Sequence, residues 1–371
     1  MTASIRIPKA ICPKDGRFGS GPSKIPDEVV KALAAEAPMG TSHRQAPVKD
    51  LVARVRRGLT ELFALPDGYE VVVGNGGATM FWDIAALNLV RERSQHVVCG
   101  EFSAKFAAVT ASAPFLAKPH VRRAEPGSGV LPVAVEGVDS YAWPQNETST
   151  GVILPVGPVP GAADALTIVD ATSAAGAVIV DLSGVDAYYF APQKVFAADA
   201  GLWTAILSPK AIERMAEIAA SGRWIPPSLD LTIALENSRK DQTYNTPAIA
   251  SLWLLAHQIE WLLGKGGLDW AARRSELSAG RLYRWAEREA YSAPFVADAT
   301  LRSPVVGTID FVPEVDAARV AAVLRENGIV DTEPYRGLNR NQLRIGMYPA
   351  VDPADVEALT HCLEFVVRSL G

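Results

Sequence analysis

ALTIVDATSAAGAVIVDLSGVDAYYFAPQK, residues 165–194, is the stretch that decides the fold. It holds three apolar, β-rich runs, 166–169, 177–180 and 187–190, separated by small or turn-forming residues. Asp170 closes the first run, and Lys194 follows the last through the turn Ala191, Pro192, Gln193. A carboxylate and an amine at the ends of buried strands are costly unless something uses their charges. One cofactor uses both: pyridoxal phosphate takes a lysine for its Schiff base and an acid against its pyridine nitrogen.

The rest of the chain has room for such a site. Its 371 residues, 49 % hydrophobic, can fill the cores of two domains. With 36 basic against 41 acidic residues, a net charge of -5 and no basic block, nucleic acid is not the expected partner. A cleft lined by a few arginines remains compatible with that balance. The cysteines, Cys12, Cys99 and Cys362, are odd in number and lack CxxC or Cys/His spacing, which predicts reduced thiols, no metal and a cytoplasmic protein. The first 19 residues lack the apolar core of a secretory signal, and the apolar stretch 252–263 is interrupted by His257, Gln258 and Glu260, so no membrane span is expected.

Upstream of the central stretch, His43 and Arg44 lie in a loop ahead of a helical pattern that starts at Pro47. A strand over 69–73 leads through a glycine loop, 74–79, into a helix reaching about residue 90. That arrangement presents backbone N–H groups to an anion, although the spacing fits neither the dinucleotide fingerprint nor a P-loop. Phe102 follows a strand over 96–99, where it serves as core or covers a planar ring. Thr148 sits in a polar loop, 144–151, after a short strand.

Downstream, 201–207 reads as a strand and 209–220 as a helix. Thr246 and Pro247 suit the N-cap and first position of a helix over 248–263, a second anion cradle that would include Asn245. Gly264, Lys265, Gly266 and Gly267 read as a linker. Beyond it, strands over 305–311 and 342–347 and helices over 315–327 and 353–368 form a smaller α+β region. Arg344 alternates with apolar neighbours on the last strand and Arg336 lies in the loop before it, as receptors for substrate anions. The predicted class is α/β, with a mostly parallel sheet in a large domain, 16–263, a small domain, 264–371, and an N-terminal arm, 1–15.

The motifs Phe18-Gly19-Ser20-Gly21-Pro22-Ser23, Gly40-Thr41-Ser42-His43-Arg44, Ala191-Pro192-Gln193-Lys194 and Tyr244-Asn245-Thr246-Pro247, with the Arg336/Arg344 region, occur in order over nearly the whole chain. Together they resemble the phosphoserine aminotransferase family, fold-type-I pyridoxal-phosphate enzymes of the class-V aminotransferase group. The resemblance implies a seven-stranded sheet flanked by helices. It also implies that Lys194 carries the cofactor, Asp170 contacts its ring nitrogen, Phe102 covers the ring and Thr148 meets the ring hydroxyl. Ala78, Thr79 and Gln193 would surround the phosphate. In a homodimer, Asn245 and Thr246 would complete the neighbouring site, and His43, Arg44, Arg336 and Arg344 would receive the substrate's anionic groups.

The reaction so implied is reversible amino transfer between O-phospho-L-serine and 2-oxoglutarate, in L-serine biosynthesis. Three positions depart from the family pattern: Ala78-Thr79 where many relatives have Gly-Arg, Phe102 where many have tryptophan, and Tyr335 where histidine is common. The rival readings are a serine- or alanine-glyoxylate aminotransferase, a cysteine desulfurase, a silent binding protein on the same scaffold, and a nucleotide-binding Rossmann protein.

Overall fold

The computed structural model describes residues 5–371, so the first four residues of the expected arm lie outside the described chain. Nine strands lie between residues 70 and 207: β1 (Glu70–Gly76), β2 (Ser94–Val98), β3 (His120–Arg123), β4 (Ser140–Pro144), the two-residue β5 (Asn146–Glu147) and β6 (Val152–Ile153), β7 (Leu166–Asp170), β8 (Ala187–Phe190) and β9 (Gly201–Leu207). Seven of them form one sheet in the order β1-β9-β8-β7-β4-β2-β3, and β5 pairs with β6 as a separate hairpin. Only β9 runs against its two neighbours; the other pairings are parallel. The predicted mostly parallel sheet is therefore present.

Both faces of this sheet are covered, as a parallel sheet requires. Along β8 the side chains alternate between two cores, Tyr188 and Phe190 in one and Ala187 and Tyr189 in the other. The covering helices are α1 (Asp27–Glu36), α2 (Ala46–Leu62), α3 (Ala78–Asn88), α4 (Glu101–Ser112), α5 (Pro209–Ala220), α6 (Leu231–Ser238) and α7 (Ile249–Lys265). At the centre, Asp170 at the end of β7 lies between Pro144 of β4 and Tyr189 of β8.

Four local expectations change. The middle run, 177–180, is not a strand: tight turns follow Asp170, with Ala174 N donating to Ala171 O (2.9 Å) and Ala177 N to Ala174 O (3.0 Å), and Gly176 has φ +90°. Its apolar side chains serve elsewhere, Ala177 and Val178 packing with Val195, Val305, Val306 and Tyr348 while Ile179 is 62 % exposed. The strand expected over 69–73 continues to Gly76, paired with Gly201. Gly74 is there to admit an indole, since a Cβ would stand 2.2 Å from Trp203 Cζ2. Phe102 belongs to the first turn of α4 rather than to a strand end. Finally, α7 begins at Ile249 after Ala248, so Thr246 and Pro247 are not its cap and first residue.

Residues 264–267 are a helix junction rather than an extended linker. α7 ends at left-handed Gly266 (φ +117°), and α8 (Gly267–Arg288) starts at once. A small antiparallel sheet of β10 (Ser292–Pro294), β11 (Val306–Phe311) and β12 (Gln342–Gly346) packs with α8, α9 (Ala317–Glu326) and α10 (Pro353–Leu370). One helix serves both regions: Ala271 of α8 lies in the core of the large sheet, and Ala279, Leu282 and Trp285 lie in the second core. The arm joins that second core through Ile7, whose N donates to Asn327 Oδ1 (3.0 Å), and Phe18 just beyond the arm joins it too, its O accepting from Gly346 N (2.8 Å). Among the described residues, no helix is long and apolar enough to cross a membrane.

Candidate active site

The carboxyl ends of parallel strands are where open α/β sheets leave a crevice, and here a cavity of about 300 Å³ opens beside β7 and β8. Asp170 and Lys194 both line it. Lys194 is buried, and its Nζ donates to Ser20 O (2.9 Å). Gly21 next to Ser20 admits no side chain, because a Cβ there would stand 1.8 Å from that nitrogen. Burial, with the nearby Arg344 charge, pushes the Lys194 amine down to about 8, against the opposing pull of Asp170 and Glu147. The Asp170 carboxylate is held by Trp82 Nε1 (3.3 Å) and by the Thr172 backbone N–H (3.0 Å).

One end of the cavity is the start of α3, lined by Gly77, Ala78 and Thr79. Gly77 precedes the helix and offers no side-chain cap; Met80 N turns back to Gly77 O (2.9 Å), while the Ala78 and Thr79 amides head the helix and present its positive dipole end. Gln193 lines the cavity as well, and its Oε1, Thr172 Oγ1 and Asn146 Oδ1 are buried polar atoms without a partner. Unpaired buried groups converging on one hollow mark a place for a polar ligand. The Phe102 ring forms another wall, its centroid 6.0 Å from Lys194 Nζ, with Tyr335 edge-on to it at 5.6 Å. Thr148 donates its hydroxyl to Ser173 Oγ (2.8 Å).

Arg344 reaches this group from β12. Its Nη1 donates to Thr148 O (3.1 Å), its guanidinium lies 5.4 Å from the Tyr335 centroid, and its buried Nε has no partner. A desolvated guanidinium with a spare N–H is a receptor for a carboxylate or phosphate. Arg336 is exposed in the short turn Arg336–Leu338, beside Tyr335.

The remaining predicted residues form a second set. His43 is buried, its Nδ1 3.1 Å from Thr246 Oγ1, and its Nε2 has no partner. Burial and the neighbouring Arg44 hold its imidazole below the ordinary histidine range. Asn75 Nδ2 donates to the Asn245 side chain and to Thr246 O (3.1 Å). Arg44, Asn245 and Thr246 are exposed, and none of this set lines the cavity that holds Lys194. The chain thus brings Lys194, Asp170, Ala78, Thr79, Phe102, Thr148, Gln193 and Arg344 together, and leaves His43, Arg44, Asn245 and Thr246 outside.

Two participants escape a reading of the sequence. Trp82 sits one turn into α3, where an aromatic reads as core. Glu147 is one polar residue among several in a loop, yet it is 0 % exposed. Its only sequence signal is adjacency to Thr148.

Comparison with known proteins agrees with this arrangement. The pattern described as "Aminotransferase class-V" matches residues 135–359. A protein of Mycolicibacterium vanbaalenii is 61 % identical over 371 residues, covering 100 % of both chains. The phosphoserine aminotransferase of Nocardioides sp. is 60 % identical over 374 residues, again covering 100 % of both. Among solved structures, a phosphoserine aminotransferase from Cytophaga hutchinsonii superposes with a TM-score of 0.86 at 25 % identity, covering 94 % of this chain and 99 % of that one. Full-length identity at this level, on a sheet that ends in Asp170 and leads to Lys194, means that the chain belongs to the class-V aminotransferases, in the phosphoserine aminotransferase family.

Proposed function

We propose that the chain transfers the amino group reversibly between O-phospho-L-serine and 2-oxoglutarate, giving 3-phosphooxypyruvate and L-glutamate, in L-serine biosynthesis. The observation that carries this reading is one cavity bounded by a buried lysine amine and a strand-end carboxylate, with an arginine beside it whose Nε is unpaired. Pyridoxal phosphate fits: the bare first turn of α3 suits its phosphate, Asp170 its ring nitrogen, and the orphaned Asn146, Thr172 and Gln193 atoms its polar periphery. When bound, it supplies an electron sink and carries the amino group between the two half-reactions.

The chain's residues do the rest. Near neutral pH roughly a tenth of an amine titrating at about 8 is uncharged, so Lys194 Nζ would tether the cofactor and, once displaced by the substrate amine, would be free to take and return the proton at the substrate α-carbon. Asp170 would face the ring nitrogen and favour its protonated form. Phe102 covers the ring, Thr148 meets its hydroxyl, and Ala78, Thr79 and Gln193 hold the phosphate. Arg344 grips a substrate carboxylate, with Arg336 near the second anionic group. His43, Arg44, Asn245 and Thr246 act in the site of a second copy, which makes the enzyme a homodimer. The exposure of Arg44, Asn245 and Thr246, and the grouping of all four away from their own cavity, support this. The three cysteines are unpaired, in keeping with a cytoplasmic enzyme.

The test is a comparison of amino donors with 2-oxoglutarate as acceptor. Phosphoserine should exceed serine by orders of magnitude in kcat/KM. Equal use of the two would replace this reading with a glyoxylate-type aminotransferase.

A further inference from the structure

Glu147 is fully buried, and hydrogen-bond donors fill both of its carboxylate oxygens. Oε1 accepts from Phe102 N (3.3 Å), Ser149 N (3.2 Å) and Ser149 Oγ (2.7 Å); Oε2 accepts from Ser103 N (2.9 Å) and Ser103 Oγ (2.8 Å). Two of these donors are first-turn amides of α4, the helix that carries Phe102. The chain leaves no slack around the clamp, since a Cβ on Gly100 would lie 2.4 Å from Glu147 Cγ. The next residue, Thr148, gives its hydroxyl to Ser173 and its carbonyl to Arg344 Nη1. A buried carboxylate is expensive to desolvate and is retained where hydrogen bonds and counter-charges offset that cost.

We infer that Glu147 is a positioning residue for the proposed cofactor site: its carboxylate fixes Phe102, Thr148 and Arg344 in one frame, and its charge balances two cations, the buried Lys194 and the half-buried Arg344. The charged groups that face Lys194 are Arg344, which opposes its protonation, and Asp170 and Glu147, which favour it. Glu147 likewise favours the charged form of Arg344. A helix cap needs only an acceptor; a counter-charge needs the anion. Neutralising Glu147 therefore separates the two roles.

The inference rests on the pyridoxal-phosphate reading for its cofactor arm alone. In the cofactor-free full-length protein, Glu147→Gln should lower the pH midpoint for modification of Lys194 by trinitrobenzenesulfonate, followed by mass spectrometry, by about half a unit or more. In the same variant the dissociation constant for pyridoxal phosphate should rise about tenfold, the cost of one weakened set of contacts. Ser103→Ala, which removes one donor and keeps the charge, should lower the melting temperature without moving the midpoint. An unchanged midpoint in Glu147→Gln, or the same shift in Ser103→Ala, overturns the inference and leaves a helix cap. If Glu147→Gln fails to fold, Ser103→Ala combined with Ser149→Ala should raise the pyridoxal-phosphate dissociation constant severalfold, and an unchanged constant overturns it. Failure of the unaltered protein to bind pyridoxal phosphate would instead overturn the proposed function, with the Lys194 titration still readable.

Discussion

The cavity that holds Lys194 and the exposed set around Thr246 are built by opposite means. Asp170, Lys194 and Thr148 stand at or just beyond the ends of strands, where pairing with buried neighbours leaves each backbone little choice. The unpaired atoms of Asn146, Thr172 and Gln193 on that side belong to residues that line the hollow. Arg44, Asn245 and Thr246 sit on loops, exposed; Asn245 meets Asn75 and Thr246 meets His43, and none of the three lines the cavity. The first group is complete enough to tune a lysine within one chain. The second does not line its own chain's cavity, and the proposed shared site would give it a target.

Three measurements bear on this contrast. The largest effect should come from the tuned lysine. Its amine titrates near 8 in the folded protein instead of 10.5, so between those values the unfolded chain binds more protons and stability rises with pH. Below 8 the burden is full. Lys194→Met should abolish transamination and stabilise the cofactor-free protein by ~3 kcal/mol at pH 7, a gain that shrinks as pH approaches 10.5. Denaturant unfolding at the two pH values checks it, and a gain independent of pH would mean that the amine is not desolvated.

Next is Arg344→Lys, which trades a planar fork for a point charge. It should cost about 2–3 kcal/mol of transition-state stabilisation, roughly 30- to 150-fold in kcat/KM for phosphoserine. Steady-state kinetics at the wild-type level would remove Arg344 from the site. The smallest effect belongs to the exposed set. Asn245→Ala should weaken pyridoxal-phosphate binding about tenfold, the loss of one charge-assisted hydrogen bond. Hybrids refolded from Lys194→Ala and Asn245→Ala chains should recover wild-type behaviour in the one site that keeps both residues. If mixing restores nothing, Asn245 serves its own chain and the contrast between the two regions collapses.

The same contrast explains what the sequence made legible. Asp170 and Lys194 stood out because a charge at the end of an apolar run is visible in one dimension. The run at 177–180 also looked apolar, yet Ala177 and Val178 pack with Val195, Val305, Val306 and Tyr348 rather than pairing in a sheet. Gly74 and Gly76 looked like a phosphate loop; they lie in β1, and only Gly77 precedes the helix. Thr246 had the chemistry of an N-cap, but its hydroxyl meets His43, more than two hundred residues earlier in the chain. Glu147 was illegible because its importance is its burial, which no local pattern encodes. Composition announces a charge; only tertiary structure says whether water reaches it.

The carbonyl of Ser20 has a consequence for turnover. It accepts from Lys194 Nζ and also from Tyr348 Oη (2.8 Å). When the lysine leaves to bond a carbonyl carbon, this buried oxygen keeps one donor and no acceptor is stranded. An orphaned acceptor of this kind costs on the order of 1–3 kcal/mol, a toll that would otherwise recur in each catalytic cycle. Tyr348 thus works as a placeholder: it leaves the lysine free to come and go without the arm being held together by the very group that must move.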